Sequence, residues 1–192
     1  MLTQSPAIEQ IIDDLIGIEG DGGGRANKND AGGATRWGIT EAVARANGYK
    51  GAMKDLPRDT AEVIYLRQYF VQPKFDQVLL RSNKLAAELF EIEVNLPPRK
   101  AAEFLQRALN ALNDPDGDGK ANFPELETDG VLGKVTFTAL DAFLKYRGSA
   151  GERCLLALIN SQQAVYYLER TEIRPKSKIS FFGWVQQRIQ IA

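Results

Sequence analysis

Apolar residues recur at helical spacing along most of the chain, and this periodicity limits the possible folds more than any other feature. The first stripe contains Ile8, Ile11, Ile12 and Leu15, and similar stripes follow almost to the C-terminus. Two-residue alternation, the mark of strands, is scarce. The main interruption is a glycine-rich segment, 20–33, and at most a short hairpin is expected inside 25–40. The pattern therefore predicts a mainly helical fold.

The first predicted helix ends at a carboxyl group. Ser5 suits the N-cap, Pro6 the first turn, and Gly20 can turn left-handed to stop the helix. Glu19 falls one turn beyond Leu15 on the apolar face, so burial and the helix dipole are both expected to raise its pKa. A carboxyl group that keeps its proton near neutral pH suits general acid catalysis. The alternative is a helix-end Glu whose tip reaches water.

Small polar side chains follow on the glycine-rich segment and the predicted hairpin. Asp30, Thr35 and Thr40 are small polar residues there, and Trp37 offers a flat apolar surface. A glutamate at a helix end, faced by such a loop, resembles the layout of lysozyme-like muramidases.

Absent residue types exclude several chemistries. The chain has no His, so Ser-His-Asp and Cys-His catalysis lack their base, and a zinc site would need several Cys. The single Cys154 rules out an internal disulfide, and its apolar helical surroundings predict a small core residue. A net charge of −1 implies no broad attraction to nucleic acid, and no apolar run is long enough to span a membrane.

Further helices are predicted from caps and periodicity. Thr40 can cap a short helix through Asn47, and another begins at Pro57. The aromatic residues of this helix, including Tyr69, suit a core better than a sugar cleft, although the cleft stays open as an interpretation. Asn83 is the expected N-cap of a helix over 84–96, and Pro97-Pro98 restarts the chain into the next helix. Helices follow after Gly133 and Ser149, the second with Leu155, Leu156, Ile159, Val165 and Leu168 as core candidates, and Ser180 can cap a last helix.

A polar stripe runs along the predicted helix 84–96. Glu88, Glu91 and Asn95 follow one another at three- and four-residue steps. From the pattern alone, a solvated face is the preferred interpretation.

A twelve-residue segment, 114–125, matches the EF-hand calcium loop at its ligand positions. Its side-chain ligands would be Asp114, Asp116, Asp118, Asn122 and Glu125, and Lys120 would supply its backbone carbonyl. Four acidic side chains in so short a segment repel one another unless a cation joins them. We therefore predict a structural calcium ion, against a solvated acidic turn, although Pro124 restricts any exiting helix.

Several motifs together resemble glycoside hydrolase family 108, the N-acetylmuramidases common among phage endolysins. They are Glu19-Gly20, the run from Asp30 through Thr35-Arg-Trp37-Gly-Ile-Thr40, Phe90-Glu-Ile-Glu-Val-Asn95, and Phe104-Leu-Gln-Arg-Ala-Leu-Asn110. The C-terminal half resembles the peptidoglycan-binding segment usually joined to that family, through Asp129-Gly-Val-Leu-Gly133 and Phe182-Gly-Trp184.

The resemblance implies a lysozyme-like helical fold and a glycosidase that acts on bacterial peptidoglycan. Its reaction would be hydrolysis of the β-1,4 bond between N-acetylmuramic acid and N-acetylglucosamine. Glu19 would be the general acid and Asp30 the second carboxylate, with Thr35 or Thr40 positioning water. Trp37, Tyr69, Glu91 and Asn95 would contact the substrate.

The resemblance also divides the chain into a catalytic part, 1–96, and a helical wall-binding part, 97–192, packed as one compact unit. We expect a monomer that binds no nucleic acid and does not insert stably into membranes. Because no secretory signal is recognisable, we expect synthesis in the host cytoplasm and action on the wall or periplasm after release. Two other functions stay open, a lytic transglycosylase and a non-catalytic, calcium-dependent wall-binding module.

Overall fold

The computed structural model describes residues 6–19, 34–113, 117, 119–175 and 178–188, and at Glu19, among others, the backbone alone. The chain divides into two compact units, Met1–Gln72 and Pro73–Ala192. The mainly helical, lysozyme-like fold class predicted from the sequence is confirmed. None of the described helices combines the length and apolar character needed to cross a membrane.

The first unit contains short helices and one small hairpin. Its elements are α1 (Pro6–Glu19), β1 (Thr35–Arg36), β2 (Ile39–Thr40), α2 (Glu41–Ala46), a 3-10 turn (Met53–Asp55), α3 (Arg58–Tyr65) and a π-helical segment (Leu66–Val71). The predicted apolar stripe of α1 is buried at Ile8, Ile12 and Ile16. The core of this unit also includes Ile39, Leu56, Ile64 and Phe70.

The second unit is built on a long bent helix. Its elements are α4 (Phe75–Leu79), α5 (Asn83–Asn95), α6 (Lys100–Ala111), α7 (Lys134–Ile173) and α8 (Lys178–Arg188). Helix α7 packs against α5, α6 and α8, and α5 also packs against α4 and α6. Gly148 has a φ of 53° inside α7, so two helical pieces meet there at a kink. The sequence predicted these pieces as separate helices.

Three expectations about this unit are wrong. The N-cap of α5 is Ser82, whose hydroxyl accepts a hydrogen bond from the backbone N–H of Leu85, and Asn83 is the first helical residue. Cys154 is exposed rather than part of the core. Val165 and Leu168, proposed for the core, are 51% and 48% exposed.

The buried side of α7 explains the errors at Cys154, Val165 and Leu168. It carries Leu155, Ile159, Gln163, Tyr167 and Thr171, which recur every four residues. Two of these five side chains are polar, so the buried face is less apolar than the pattern 155, 156, 159, 165 and 168 suggested. A prediction of the buried residues from hydrophobicity alone was therefore wrong for part of this helix.

Candidate active site

The hairpin of the first unit is closed by a two-residue turn of Trp37 and Gly38. Thr35 pairs with Thr40 and Arg36 with Ile39 across the antiparallel strands. Trp37 and Gly38 have φ angles of 54° and 72°, as a two-residue primed turn requires. Left-handed backbone is uncommon for a bulky residue, so its surroundings must stabilise Trp37 in this conformation.

Trp37 is held by three neighbours. Its indole Nε1 donates to the carbonyl oxygen of Leu56 at 2.9 Å, and its own carbonyl accepts from the Tyr65 hydroxyl at 3.1 Å. The Arg36 guanidinium lies 5.1 Å from the centre of the indole ring. Because the indole N–H is already bonded, Trp37 can offer a ligand the apolar surface of its half-buried ring but no hydrogen bond from that N–H.

The two threonines predicted to position water lie opposite each other in the hairpin. Because Thr35 and Thr40 are cross-strand partners, their side chains point to the same face of the hairpin. The buried Ile39, next to Thr40 in the strand, points to the other face. The Thr40 hydroxyl oxygen accepts from the Val43 N–H at 3.4 Å and so caps α2. A hydroxyl keeps its own hydrogen and a second lone pair after one such contact, so the cap is compatible with binding water.

Tyr69 belongs to the π-helical segment. Its ring centre lies 5.7 Å from that of Tyr65, which is buried, while Tyr69 itself is half-buried. Wide helical turns of this kind are frequent at functional sites because they displace side chains from the ordinary helical positions. The first unit therefore links Trp37, Tyr65 and Tyr69 through one chain of contacts.

The two predicted carboxylates cannot be placed by this structure. Glu19 is the last residue of α1 and follows the buried Ile16 by three positions, but its side chain lies outside the described residues. Asp30 also lies outside them. The roles of Glu19, Asp30, Thr35 and Thr40 stay predictions.

Helix α5 carries a buried carboxyl group that sequence reasoning missed. Glu88 is only 6% exposed, and burial, followed by the negative charge of Glu91, raises its pKa to about 7 against a smaller lowering by the Asn160 side chain. Glu91 and Asn95 are half-buried, and Asn95 Nδ2 donates to the Glu91 carbonyl oxygen at 2.8 Å. The preferred interpretation of a solvated stripe is therefore wrong.

A sequence signal for this burial existed. Glu88 follows Leu85 by three residues and precedes Ile92 by four, so it stands within the apolar stripe of α5. Whether Glu91 and Asn95 face a substrate stays a prediction.

The predicted calcium segment is only partly described. Lys120, Asn122 and Glu125 are exposed, and Asp114, Asp116 and Asp118 lie outside the described residues. Among residues 119–133 the structure has no helix, so the exiting helix of an EF-hand is missing there, as the restriction at Pro124 suggested. No group of three metal-binding side chains occurs in the described part of the chain.

Two asparagines at the end of α6 form hydrogen bonds with the backbone at the C-terminal end of this segment. Asn113 Oδ1 accepts from the backbone N–H groups of Asn122 and Phe123 at 3.0 and 3.2 Å, and its Nδ2 donates to the Phe123 carbonyl oxygen at 2.7 Å. Asn110 makes two contacts of the same kind with the backbone of Leu126: its Oδ1 accepts from the Leu126 N–H at 2.9 Å, and its Nδ2 donates to the Leu126 carbonyl oxygen at 2.8 Å. The protein's own hydrogen bonds therefore join the residues just before the predicted metal segment to the last residues of that segment and to Leu126, which follows it.

Each half of the sequence matches a known protein family. Residues 13–96 match the family model of Glycosyl hydrolase 108, and residues 100–189 match that of the Predicted Peptidoglycan domain. The glycosyl hydrolase 108 assignment applies to residues 13–96. The resemblance seen in the sequence motifs is thereby confirmed, and the chain is a glycosidase of the peptidoglycan-hydrolase class.

The glycosyl hydrolase 108 match contains Glu19, the hairpin and all of α5, so it crosses the division between the compact units at Gln72 and Pro73. The domain boundary predicted between residues 96 and 97 stays a prediction.

A solved structure supports the fold. The chain is similar to the structure of Brucella abortus SagA, with a TM-score of 0.61 and 19% sequence identity over 94% of this chain and 86% of that chain. At this identity the likeness concerns the fold alone. No curated protein matches the chain.

Proposed function

We propose that the protein is an N-acetylmuramidase that hydrolyses the β-1,4 bond between N-acetylmuramic acid and N-acetylglucosamine. The observation that carries this proposal is the glycosyl hydrolase 108 match over residues 13–96, followed directly by the peptidoglycan domain match. The absence of His from the sequence supports it, because carboxylate chemistry on the sugar chain needs none. Action on the wall after synthesis in the host cytoplasm, as a monomer, is part of the proposal.

In the proposed reaction, Glu19 gives its proton to the leaving glycosidic oxygen while water adds to the anomeric carbon. Asp30 activates that water or stabilises the positive charge at this carbon, and Thr35 or Thr40 positions the water. Trp37 contacts a sugar through its ring surface, since its N–H is bonded to Leu56.

Tyr69, Glu91 and Asn95 are proposed as further substrate contacts. All three are half-buried, which suits side chains that must be both held by the protein and reachable.

The test is muropeptide analysis by mass spectrometry of peptidoglycan treated with the parent protein, Glu19→Gln or Glu9→Gln. Glu9 is an exposed glutamate on the same helix and serves as the matched control. We expect reducing N-acetylmuramic acid ends from the parent and from Glu9→Gln. We expect a loss of about a hundredfold or more in rate for Glu19→Gln, the usual contribution of a general acid.

Each other outcome overturns part of the proposal. Products with 1,6-anhydro ends would identify a lytic transglycosylase. Equal rates for Glu19→Gln and the parent would show that Glu19 is not the acid. Wall binding without any release of fragments would identify a non-catalytic module.

We also propose that Asp114, Asp116, Asp118, Asn122, Glu125 and the Lys120 carbonyl hold a structural calcium ion. The ligand spacing supports this, and so do the asparagine contacts, because they bring the two sides of the segment together before a metal binds. Calorimetric titration of chelator-treated protein should show calcium-dependent heat that Asp114→Asn reduces. The exposed Glu127→Gln, just outside the segment, is the control and should leave the heat unchanged. No heat with the parent protein would refute the site.

A further inference from the structure

A groove runs between α6 and α7, within the part of the chain that matches the peptidoglycan domain. It encloses about 350 Å³, which is within the range of small-ligand sites. On α6 it is lined by Lys100, Phe104, Arg107 and Ala108, which share one face of that helix. This groove lies wholly inside the second unit.

The groove has a fixed apolar floor. Phe104 and Ala108 are almost fully buried and form its base. Gln162 Nε2, on α7, donates to the Phe104 carbonyl oxygen at 3.0 Å and to the Leu158 carbonyl oxygen at 3.2 Å. Because this side chain joins the two helices, the groove is preformed, and a ligand would not have to separate them.

The α7 wall is apolar but open to solvent. Val165 is 51% exposed, and the half-buried Tyr166 stands beside it. The Tyr166 hydroxyl accepts from Arg170 Nη1 at 3.4 Å, which orients the ring. An exposed aliphatic side chain and an oriented aromatic ring above an apolar floor suit apolar groups of a ligand, such as methyl groups.

Opposite charges lie on the two sides of the groove. Arg107 on α6 and Glu169 on α7 are both exposed, and neither forms an ion pair with another described residue. Lys100 adds a second cation but pairs with Glu103 at 2.7 Å. The groove therefore offers a cation for a carboxylate and, across from it, a carboxylate for an amine.

We propose, on the basis of the function proposed above, that this groove binds the peptide stems of peptidoglycan. Such stems are short peptides in which alanine methyl groups alternate with free carboxylates and, in many walls, a diamino acid. From Leu158 to Glu169 the wall of the groove extends about 16 Å along the helix axis. An extended peptide of four to five residues has about the same length, roughly 15 Å.

The test uses calorimetry to measure the Kd of a purified stem tetrapeptide, one that contains a diamino acid, for the full chain. Arg107→Glu should raise the Kd about fivefold or more, since it replaces an attraction to a carboxylate with a repulsion. Val165→Asp should weaken binding as well. The matched controls are Arg153→Glu and Val135→Asp, exposed positions of α7 outside the groove, which should leave the Kd unchanged. Circular dichroism and thermal melting verify that all four variants fold.

Several results would overturn the proposal. One is no binding of the tetrapeptide, and another is equal binding by Arg107→Glu and the parent. Tighter binding of peptide-free glycan strands, weakened by the same two groove variants, would identify the sugar chain as the occupant. A dimer in sedimentation that Val165→Asp dissociates would identify a second copy of the chain.

Because this assay measures no bond cleavage, its failure is separate from failure of the proposed hydrolase activity. A chain that releases reducing ends but does not bind the tetrapeptide refutes only the groove.

Discussion

Replacing the buried Glu88 by Gln should make the protein more stable at alkaline pH and leave it unchanged at acid pH. In the unfolded chain Glu88 titrates near its ordinary pKa of 4.5, but in the folded protein its pKa is about 7. Between these values the folded state holds a proton that the unfolded state has released. The stability of the parent protein therefore falls as the pH rises from about 4.5 to about 7.

The size of this effect follows from the shift in pKa. A rise from 4.5 to about 7 corresponds to about 3 kcal/mol of unfolding free energy, lost in full above the folded pKa. Glu88→Gln has no carboxyl group to ionise, has nearly the same volume, and retains both a donor and an acceptor for Asn160. Its stability relative to the parent should thus increase by about 3 kcal/mol from pH 4 to pH 8.

The assay is urea unfolding of the parent and the variant at several pH values between 4 and 8, evaluated as the difference between the two proteins. Glu172→Gln, which changes an exposed glutamate on α7, is the control for the loss of a surface carboxyl group. Glu91→Gln should reduce the pH dependence of the parent, because the charge of Glu91 is the second cause of the raised pKa. A difference between Glu88→Gln and the parent that is the same at pH 4 and pH 8 would refute the burial argument.

Two further pairs of substitutions test local features of the second unit. Gly130→Ala should lower the free energy of unfolding in urea by about 3 kcal/mol, because an added Cβ would lie 2.6 Å from the Arg99 carbonyl oxygen. Gly148→Ala, at a residue with positive φ but open space around it, should lower it by only about 1 kcal/mol. Equal losses for the two variants would refute the clash at Gly130. Ser82→Ala should lower the melting temperature through a loss of about 1 kcal/mol, while Asn83→Ala should have little effect; the reverse result would make Asn83 the cap.

Helical periodicity predicted much of the fold correctly. It identified α1 and α5 within a residue or two, and Asn47 and Pro57 mark the end of α2 and the start of α3 as predicted. These features depend on neighbours in sequence, so a local pattern is enough to reveal them.

The contacts of the candidate site could not be predicted in the same way. Trp37 adopts left-handed backbone, which no propensity favours, and it is held by Leu56 and Tyr65, which lie 19 and 28 residues away in sequence. On α7 the buried face includes the polar Gln163, so tertiary packing overrides the apolar pattern. Such long-range contacts have no local signature in the sequence.

The asparagine contacts at the end of α6 hold the chain beside the predicted metal segment without a metal ion. In many small metal-binding modules, by contrast, the bound ion itself is needed for folding. Asn113 and Asn110 hold the backbone of Asn122, Phe123 and Leu126 through contacts that involve no ion, and Phe123 and Leu126 are buried in the core. The conformational entropy lost when the chain between Asn113 and Asn122 is closed is thus already compensated by these contacts in the folded protein. We therefore expect that residues 114–121 can be exchanged for a segment of different length without unfolding the helices before and after them, which makes this position suitable for grafting a foreign sequence.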